Sequence, residues 1–345
     1  MDRKGWIIII LCSIGLVLNY QLGRDNAEKL AKENQEKVEE GGATTPDDEG
    51  DGNSEDSGDE TSPEPAVDTN STPAKEDDPY EMLAYTDGEA VTKYTFSNFG
   101  GGIKTAEMLL EKKVFDKDKN VIINERGSNV VGALARSYKD IEDTYYERIE
   151  ETENSVKYQG QLEDGVIVTK SWTLENGTEK QAPKFKLVIS FKTADGKTID
   201  LNDYTITTGS ATPLFKKEQM NLAGWFYYED GDYQNEDHGN FNGGMFSDEK
   251  PVDIIKTSNL EYLGVNNQFF GTAIFPKADS KSDNLWASGE EITISDGQET
   301  GKRWIFQVGL DLPEKTLQGG ESTSISYDVF MGAKLNEQMS SLSEN

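Results

Sequence analysis

The stretch KFKLVISFKT, residues 184–193, alternates apolar and polar side chains with a period of two residues. Its apolar positions are Phe185, Leu187, Ile189 and Phe191, and the positions between and around them include Lys184, Lys186, Ser190 and Lys192. Such alternation is typical of a strand with one face buried and the other in solvent. The turn signal ADGK follows at 194–197, and together with the next segment, TIDLNDYTI, it predicts a β-hairpin.

The same pattern of short strands and turns recurs on both sides of this stretch. VKYQGQL and VIVTKSWTLEN flank EDG at 163–165, EEITIS and RWIFQVGLDL flank a second turn segment, and STSISYDVFM begins at 322. The glycine run FGGGI, 99–103, lacks the spacing of a phosphate-binding loop and predicts a tight bend or bulge between strands. We therefore expect an all-β fold over 80–331, a large antiparallel sandwich of two extended sheets packed face to face.

The charge of the chain limits the partners that it can attract. Its 345 residues carry 64 Asp and Glu against 34 Lys and Arg, a formal net charge of -30. Long-range repulsion then argues against nucleic acid and against attraction to an anionic membrane surface. With one Cys the chain has no internal disulfide, and with one His it has little material for His-based metal or acid/base chemistry.

The first 23 residues, MDRKGWIIIILCSIGLVLNYQLG, contain an apolar stretch behind two early cations. We expect an uncleaved signal anchor, 1–23, that crosses the membrane once with a cytoplasmic N-terminus. A cleaved signal peptide and a buried soluble helix are the alternatives, but no small-x-small cleavage pattern follows the apolar run. Residues 24–79 hold 5 Lys and Arg against 19 Asp and Glu, which predicts an acidic, mostly disordered linker. At the other end, Met331, Leu335, Met339 and Leu342 share one helical face, so 332–345 is expected to begin an amphipathic helix.

No catalytic, cofactor or metal site emerges from the residue pattern, and we expect a protein that is not an enzyme. Cys12 lies within the predicted anchor, where it cannot act as a nucleophile with His238. The segment EDGDYQNEDHGNFNGG around His238 is rich in carboxylates but lacks the EF-hand spacing, because Gln234 and Asn235 occupy ligand and glycine positions. An acidic surface loop is the preferred interpretation, and a cation site is the alternative.

Three stretches, in this order after an anchor and an acidic linker, resemble a known family. They are YTFSNFGGGIKTAEM at 94–108, LEYLGVNNQFFGTAIFP at 260–276 and YDVFMGAKLNEQMSSL at 327–342. Together they are similar to the N-terminal part of a bacterial YidC-type membrane protein insertase. The matching motif positions are Asn98, Gly100, Gly101, Gly264, Phe269, Phe270, Pro276, Gly332 and Lys334. Phe269 stands where the family usually has Tyr, and Ala333 where it usually has Pro.

The resemblance implies a periplasmic β-supersandwich of mutarotase-like topology, held at the bacterial inner membrane. Residues 260–276 would then be core strands, with Leu263, Phe269, Ala273 and Phe275 as candidates for the buried faces. The implied partners are the Sec translocon and nascent membrane proteins, and the implied role is to assist their insertion and folding. No second long apolar stretch is present, so we expect a truncated or split insertase, or a fragment, without the five-helix core.

An alternative function shares the same sandwich: a membrane-tethered periplasmic carbohydrate-binding or mutarotase-like protein. It requires a concave site with acid/base residues or stacked aromatics. The dense aromatic cluster WFYY at 225–228 makes Trp225 and Tyr227 candidates for a ligand or partner surface, although aromatic packing in the core explains them equally simply.

Overall fold

A computed structural model describes residues 75–114, 116–127, 129–242, 249–296 and 299–334. Within these ranges, no helix is long and apolar enough to cross a membrane. The predicted anchor, 1–23, and most of the predicted linker, 24–79, lie outside the described residues.

Strands account for the regular structure of the described ranges. In chain order they are β1 Tyr80–Thr86, β2 Glu89–Ser97, β3 Gly102–Lys112, β4 Asn120–Ile123, β5 Val131–Ser137, β6 Asp140–Ile141, β7 Glu147–Thr152, β8 Ser155–Gln161, β9 Ile167–Glu175, β10 Lys184–Lys192, β11 Ile199–Asp200, β12 Thr205–Ala211, β13 Gly224–Glu229, β14 Asp232–Glu236, β15 Val252–Lys256, β16 Leu260–Asn266, β17 Phe270–Pro276, β18 Asn284–Asp296, β19 Glu299–Asp311, β20 Thr316–Leu317 and β21 Ser322–Ala333. Three short 3₁₀ turns, Leu201–Asp203, Met220–Leu222 and His238–Asn240, join some of them.

The strands form two large sheets. The first is ten-stranded, in the order β1-β2-β3-β5-β12-β19-β18-β15, with β4 beside β3 and β6 beside β5. The second is nine-stranded, in the order β14-β13-β16-β17-β21-β10-β9-β8-β7, and β11 pairs with β20 in a small third sheet. The pairs within these sheets are antiparallel, so the expected all-β antiparallel sandwich is confirmed.

The core lies between the two large sheets. The apolar face of β10 is buried there: Phe185, Leu187, Ile189 and Phe191 are all solvent-inaccessible. From the other sheet, Tyr94 and Phe96 meet Phe185 edge to face, at ring-centroid distances of 4.8 and 5.6 Å. The period-two prediction for this strand is therefore confirmed, and edge-to-face aromatic contacts join the layers.

The predicted hairpin after β10 is wrong. ADGK does form a turn, with the Lys197 amide donating to the Ala194 carbonyl at 3.1 Å and Gly196 at a φ of 75°. However, β10 pairs with β9 and β21, whereas β11 pairs with β20 and β12 belongs to the other large sheet. The chain crosses between the layers here because Ile199 and Leu201 are buried in the core. The other two predicted hairpins, β8–β9 and β18–β19, are present.

The predicted glycine bend is found between β2 and β3. Gly100 and Gly101 have φ values of 76° and 57°, which side-chain-bearing residues rarely adopt. A Cβ on the next residue, Gly102, would lie 2.1 Å from the Val131 carbonyl oxygen. The run of glycines is therefore required by backbone conformation and by the close approach of β5.

Two further expectations need correction. Leu263, Ala273 and Phe275 are buried as expected, but Phe269 is 49% exposed because it lies in the turn between β16 and β17. At the carboxyl end, β21 continues through Ala333, so Gly332 belongs to a strand and not to a helix. The rest of that predicted helix, 335–345, lies outside the described residues.

Candidate functional site

The first group of motif residues surrounds the glycine bend. The ammonium of Lys170, on β9, is fully buried and donates to the Gly100 carbonyl at 2.7 Å and to Glu142 Oε1 at 2.5 Å. Glu142 also accepts bonds from the Leu134 amide and from the Tyr146 hydroxyl. Burial lowers the pKa of Lys170, while the negative charge of Glu142 opposes that shift.

Asn98 and Trp172 complete the support of the bend. Asn98 Nδ2 donates to the Tyr146 carbonyl at 2.7 Å, and Trp172 Nε1 donates to the Gly101 carbonyl at 3.0 Å. Asp77, a residue of the predicted linker, accepts bonds from the side chain of Ser97 and the amide of Asn98. Every polar atom named here is used inside the protein, so this group holds the fold together and offers nothing to a substrate.

The second group of motif residues lies in β16, β17 and the turn between them. A Cβ on Gly264 would lie 2.1 Å from the Thr272 carbonyl oxygen and 2.5 Å from the ring of Phe226. Phe270 is buried in the core, and Pro276 ends β17 opposite Tyr327. Gly264 is therefore needed because β17 and the Phe226 ring approach it closely.

The two candidate surface aromatics occupy the inner face of β13. Trp225 is buried in the core, and Tyr227 packs against that core and stacks on Trp225 with centroids 5.8 Å apart. Trp225 is therefore not available to a ligand in this structure. Period-two alternation within WFYY places residues 225 and 227 on one face and 226 and 228 on the other, but all four residues are aromatic, so the pattern does not indicate which face is buried.

Sequence reasoning missed the opposite face of the same strands, which we call the outer aromatic face. It consists of Phe226, Tyr228, Tyr233, Tyr262, Phe275 and Phe330. Tyr228 and Tyr262 lie directly across from each other in β13 and β16, with rings parallel and centroids 5.1 Å apart. Tyr233 on the edge strand is about half exposed.

A cavity of about 720 Å³ lies at the carboxyl end of β21, and we call it the basic groove. Its walls combine apolar side chains, including Val114, Leu214, Phe269 and Phe270, with charged ones. The positively charged lining residues are Lys112, Lys113, Lys119, Arg126 and Lys334, and the negatively charged ones are Glu111, Asp116 and Glu125. Five cations thus face three carboxylates, on a chain whose overall charge is -30.

One buried carboxylate joins two walls of the basic groove. Glu218 accepts bonds from the amides of Leu214 and Gln268, and the Lys334 amide donates to the Phe269 carbonyl at 2.8 Å. Burial raises the pKa of Glu218, whereas the two amides oppose the rise. Burial likewise lowers the pKa of Lys334, against the charge of Glu218. The turn that exposes Phe269 is therefore anchored on both sides.

A smaller polar cavity lies at the end of β19, lined by Asn202, Asp283, Asn284, Asp311 and Glu314 among others. Burial raises the pKa of Asp311 to about 6, and a side-chain hydrogen bond with Asn284 partly opposes this. Since the raised pKa disfavours the charged form in the folded state, Asp311 reduces stability above pH 6. The loss is relieved as the pH falls toward the unfolded value of 3.8.

We expect Asp311→Asn to stabilise the protein at pH 8, by about 1 kcal/mol once partial exposure of the site is allowed for. The gain should shrink toward zero at pH 4, where the wild-type carboxyl is protonated in the folded state. Urea unfolding at both pH values measures the difference, with Asp195→Asn, on an exposed turn, as the control. A gain that is equal at the two pH values would contradict the assignment.

The acidic segment near His238 contains two separate features. Asp230 and Gly231 form the turn between β13 and β14, and the Asp237 side chain caps the 3₁₀ turn His238–Asn240 by accepting from the Gly239 amide. Within the described ranges, no group of three or more His, Cys, Asp or Glu side chains could hold a metal ion.

Comparison with known proteins gives one clear match. The family model described as YidC periplasmic domain matches residues 88–345. A search of the curated proteins gave no match. Among solved structures, a GalM/aldose epimerase homologue from C. elegans is 9% identical, with 74% of this chain and 99% of that chain covered and a TM-score of 0.42. A 4-alpha-glucanotransferase from Thermococcus litoralis is 10% identical over 74% of this chain and 40% of that chain, with a TM-score of 0.35. Both TM-scores are low, so neither likeness indicates a function for this chain.

Proposed function

This chain belongs to the YidC periplasmic domain family, and from that premise we propose that it is the periplasmic domain and anchor of a membrane protein insertase. The family match carries the proposal, because it spans nearly the whole β domain. Residues 1–23 would hold the chain in the inner membrane, and residues 24–79 would set how far the sandwich can reach from its anchor. Flexible-chain scaling gives such a linker a reach of about 40 Å, and charge repulsion would extend it.

In this role the domain is not a catalyst. It positions the Sec translocon and nascent membrane proteins beside the membrane. This role requires surfaces that bind partners and a linker of sufficient length, and it does not require reactive groups. The buried network at the glycine bend fits such a scaffold, because its polar side chains are satisfied within the protein. The basic groove supplies an open surface with apolar and charged parts.

The proposal predicts contacts that depend on the sandwich. A tagged full chain, chemically cross-linked in cells during synthesis of inner-membrane proteins, should recover Sec translocon subunits and newly made membrane proteins. The matched control is residues 1–79 alone, which keep the predicted anchor and linker but lack the β domain. Equal recovery by the two chains would contradict a role for the domain in partner binding.

The outer aromatic face favours one second candidate, a membrane-tethered carbohydrate-binding protein. The Tyr228 and Tyr262 rings stack on each other, and the half-exposed ring of Tyr233, opposite Tyr228, offers an aromatic face on which a sugar ring stacks. Glycan-array binding that is lost in Tyr233→Ala would support this candidate. An array without such binding would leave the insertase domain as the sole proposal.

A further inference from the structure

Exposed apolar side chains and lysines occur together on the loops around the basic groove. The last residue of β3 and the β3–β4 loop read KKVFDKDK, 112–119, and Val114 in this segment is 57% exposed. The loop before β13 contains LFKKEQM, 214–220, where Met220 is 40% exposed, and the β16–β17 turn carries Phe269. These three segments are distant from one another in the sequence. Each of them contributes residues to the lining of the basic groove.

The charge of these loops differs in sign from that of the chain. The segment 112–119 carries Lys112, Lys113, Lys117 and Lys119 against two aspartates, and the second loop carries Lys216 and Lys217 against Glu218. Glu218 is buried and occupied by backbone amides, so it presents little charge to the outside. Lys113 is paired with Glu125 at 2.7 Å and Lys119 with Asp116 at 3.0 Å, but the two segments together still carry six lysines against three carboxylates, a local excess of positive charge on a negative chain.

We propose that this end of the sandwich, which we call the loop surface, docks on an anionic lipid bilayer. Val114, Met220 and Phe269 would enter the interfacial region, and the neighbouring lysines would reach the headgroup phosphates. Apolar side chains flanked by lysines suit this boundary, because the first lose water on entering it and the second gain from the negative surface potential. The net charge of -30 repels the chain from such a membrane at a distance, but within a Debye length of about 8 Å only the local charges act.

The loop surface fits a bilayer better than it fits a peptide. Its apolar side chains are exposed on three separate loops, whereas a groove that binds a peptide buries its apolar contacts in a continuous wall. The inference rests on the proposed membrane tether, which raises the effective concentration of the bilayer so that weak docking suffices. The tether enters the fold at β1, next to the glycine bend, and β3 runs about 36 Å from that bend to the loop surface. A linker with a reach of about 40 Å permits this orientation.

The test uses the full chain in nanodiscs, with Cys12 replaced by Ser and an environment-sensitive fluorophore on Val114→Cys. In discs that contain phosphatidylglycerol we expect emission at shorter wavelength and quenching by brominated acyl chains, both lost near 1 M salt, where the Debye length is about 3 Å. In discs of phosphatidylcholine alone we expect neither. Glu153→Cys, on the β7–β8 turn, is the matched position and should report water in both lipids.

Charge-reversal variants test whether docking depends on the lysines of the loop surface or only on the net charge of the chain. Lys112→Glu, Lys117→Glu and Lys119→Glu together should abolish the signal at position 114. Lys180→Glu, Lys192→Glu and Lys197→Glu, three exposed lysines that do not line the groove, change the net charge equally and should preserve it. A circular dichroism spectrum typical of β structure, recorded for each variant, confirms that the variant is folded.

Several outcomes would overturn the proposal. They are a signal that is equal in the two lipids, no signal in either lipid from an inserted chain, or a signal that appears only when an apolar peptide is added. The last would assign the loop surface to client segments. A chain that fails to enter nanodiscs would contradict the proposed tether instead, and flotation of that chain with phosphatidylglycerol vesicles then tests the loop surface alone. Absence of flotation even at an accessible lipid concentration on the order of 1 mM, the effective concentration that a flexible tether supplies, would overturn docking.

Discussion

Replacing Lys170 by Met is expected to lower the free energy of unfolding by about 3–5 kcal/mol. The side chain has no exposed area, and its loss leaves the Glu142 carboxylate without its cation in a nearly water-free site. An uncompensated buried charge costs far more than the loss of an ion pair in water. The Gly100 carbonyl also loses its ammonium donor, so the glycine bend loses part of its support. Urea unfolding followed by circular dichroism measures the change.

A surface pair with the same separation provides the control. Lys302 and Glu291 are also 2.5 Å apart, but their side chains are 75% and 42% exposed. Lys302→Met should therefore cost less than about 1 kcal/mol. The double variant Lys170→Met with Glu142→Gln should recover part of the loss, because the unpaired charge is gone. Equal costs for Lys170→Met and Lys302→Met would show that burial of the pair does not matter.

Lys170 also illustrates what the amino-acid sequence could not reveal. The segment IVTKSWTLE predicts a strand, and its alternation places residue 170 on the same face as the buried Val168 and Trp172. A lysine there contradicts the usual rule that charges stay outside. Only the three-dimensional structure shows that the Lys170 ammonium contacts Glu142, 28 residues away, and the Gly100 carbonyl. Burial of a charge depends on distant partners, which alternation does not report.

The same limit explains the other departures. Alternation correctly predicted the buried face of β10, but it could not identify the neighbouring strands, so the hairpin with TIDLNDYTI was wrong. The apolar run at 260–276 indicated buried strands, but its central turn exposes Phe269 because the chain must reverse there. The basic groove is assembled from segments that range from Glu111 to Lys334, more than 200 residues apart in sequence, so no local pattern could have indicated it.

Trp172→Ala is expected to cost about 3–5 kcal/mol of unfolding free energy, through the cavity that it leaves in the core. The ring is fully buried, meets Phe96 and Phe185 edge to face at 5.7 and 5.9 Å, and packs closely over Gly132. Trp172→Phe should cost less, because it keeps most of the ring contacts and loses mainly the indole bond to the Gly101 carbonyl.

A second tryptophan provides the comparison for this cavity. Trp304 is only partly buried and stacks against Phe241 at 6.3 Å, so Trp304→Ala should cost less than half as much as Trp172→Ala. Thermal and urea unfolding, followed by far-ultraviolet circular dichroism, compare the three variants. Lys170 and Trp172 are two residues apart on β9 and donate hydrogen bonds to consecutive carbonyls of the glycine bend. The changes in unfolding free energy caused by Lys170→Met and Trp172→Ala should therefore be non-additive. A Trp172→Ala variant no less stable than Trp304→Ala would contradict the expected cost of the core cavity.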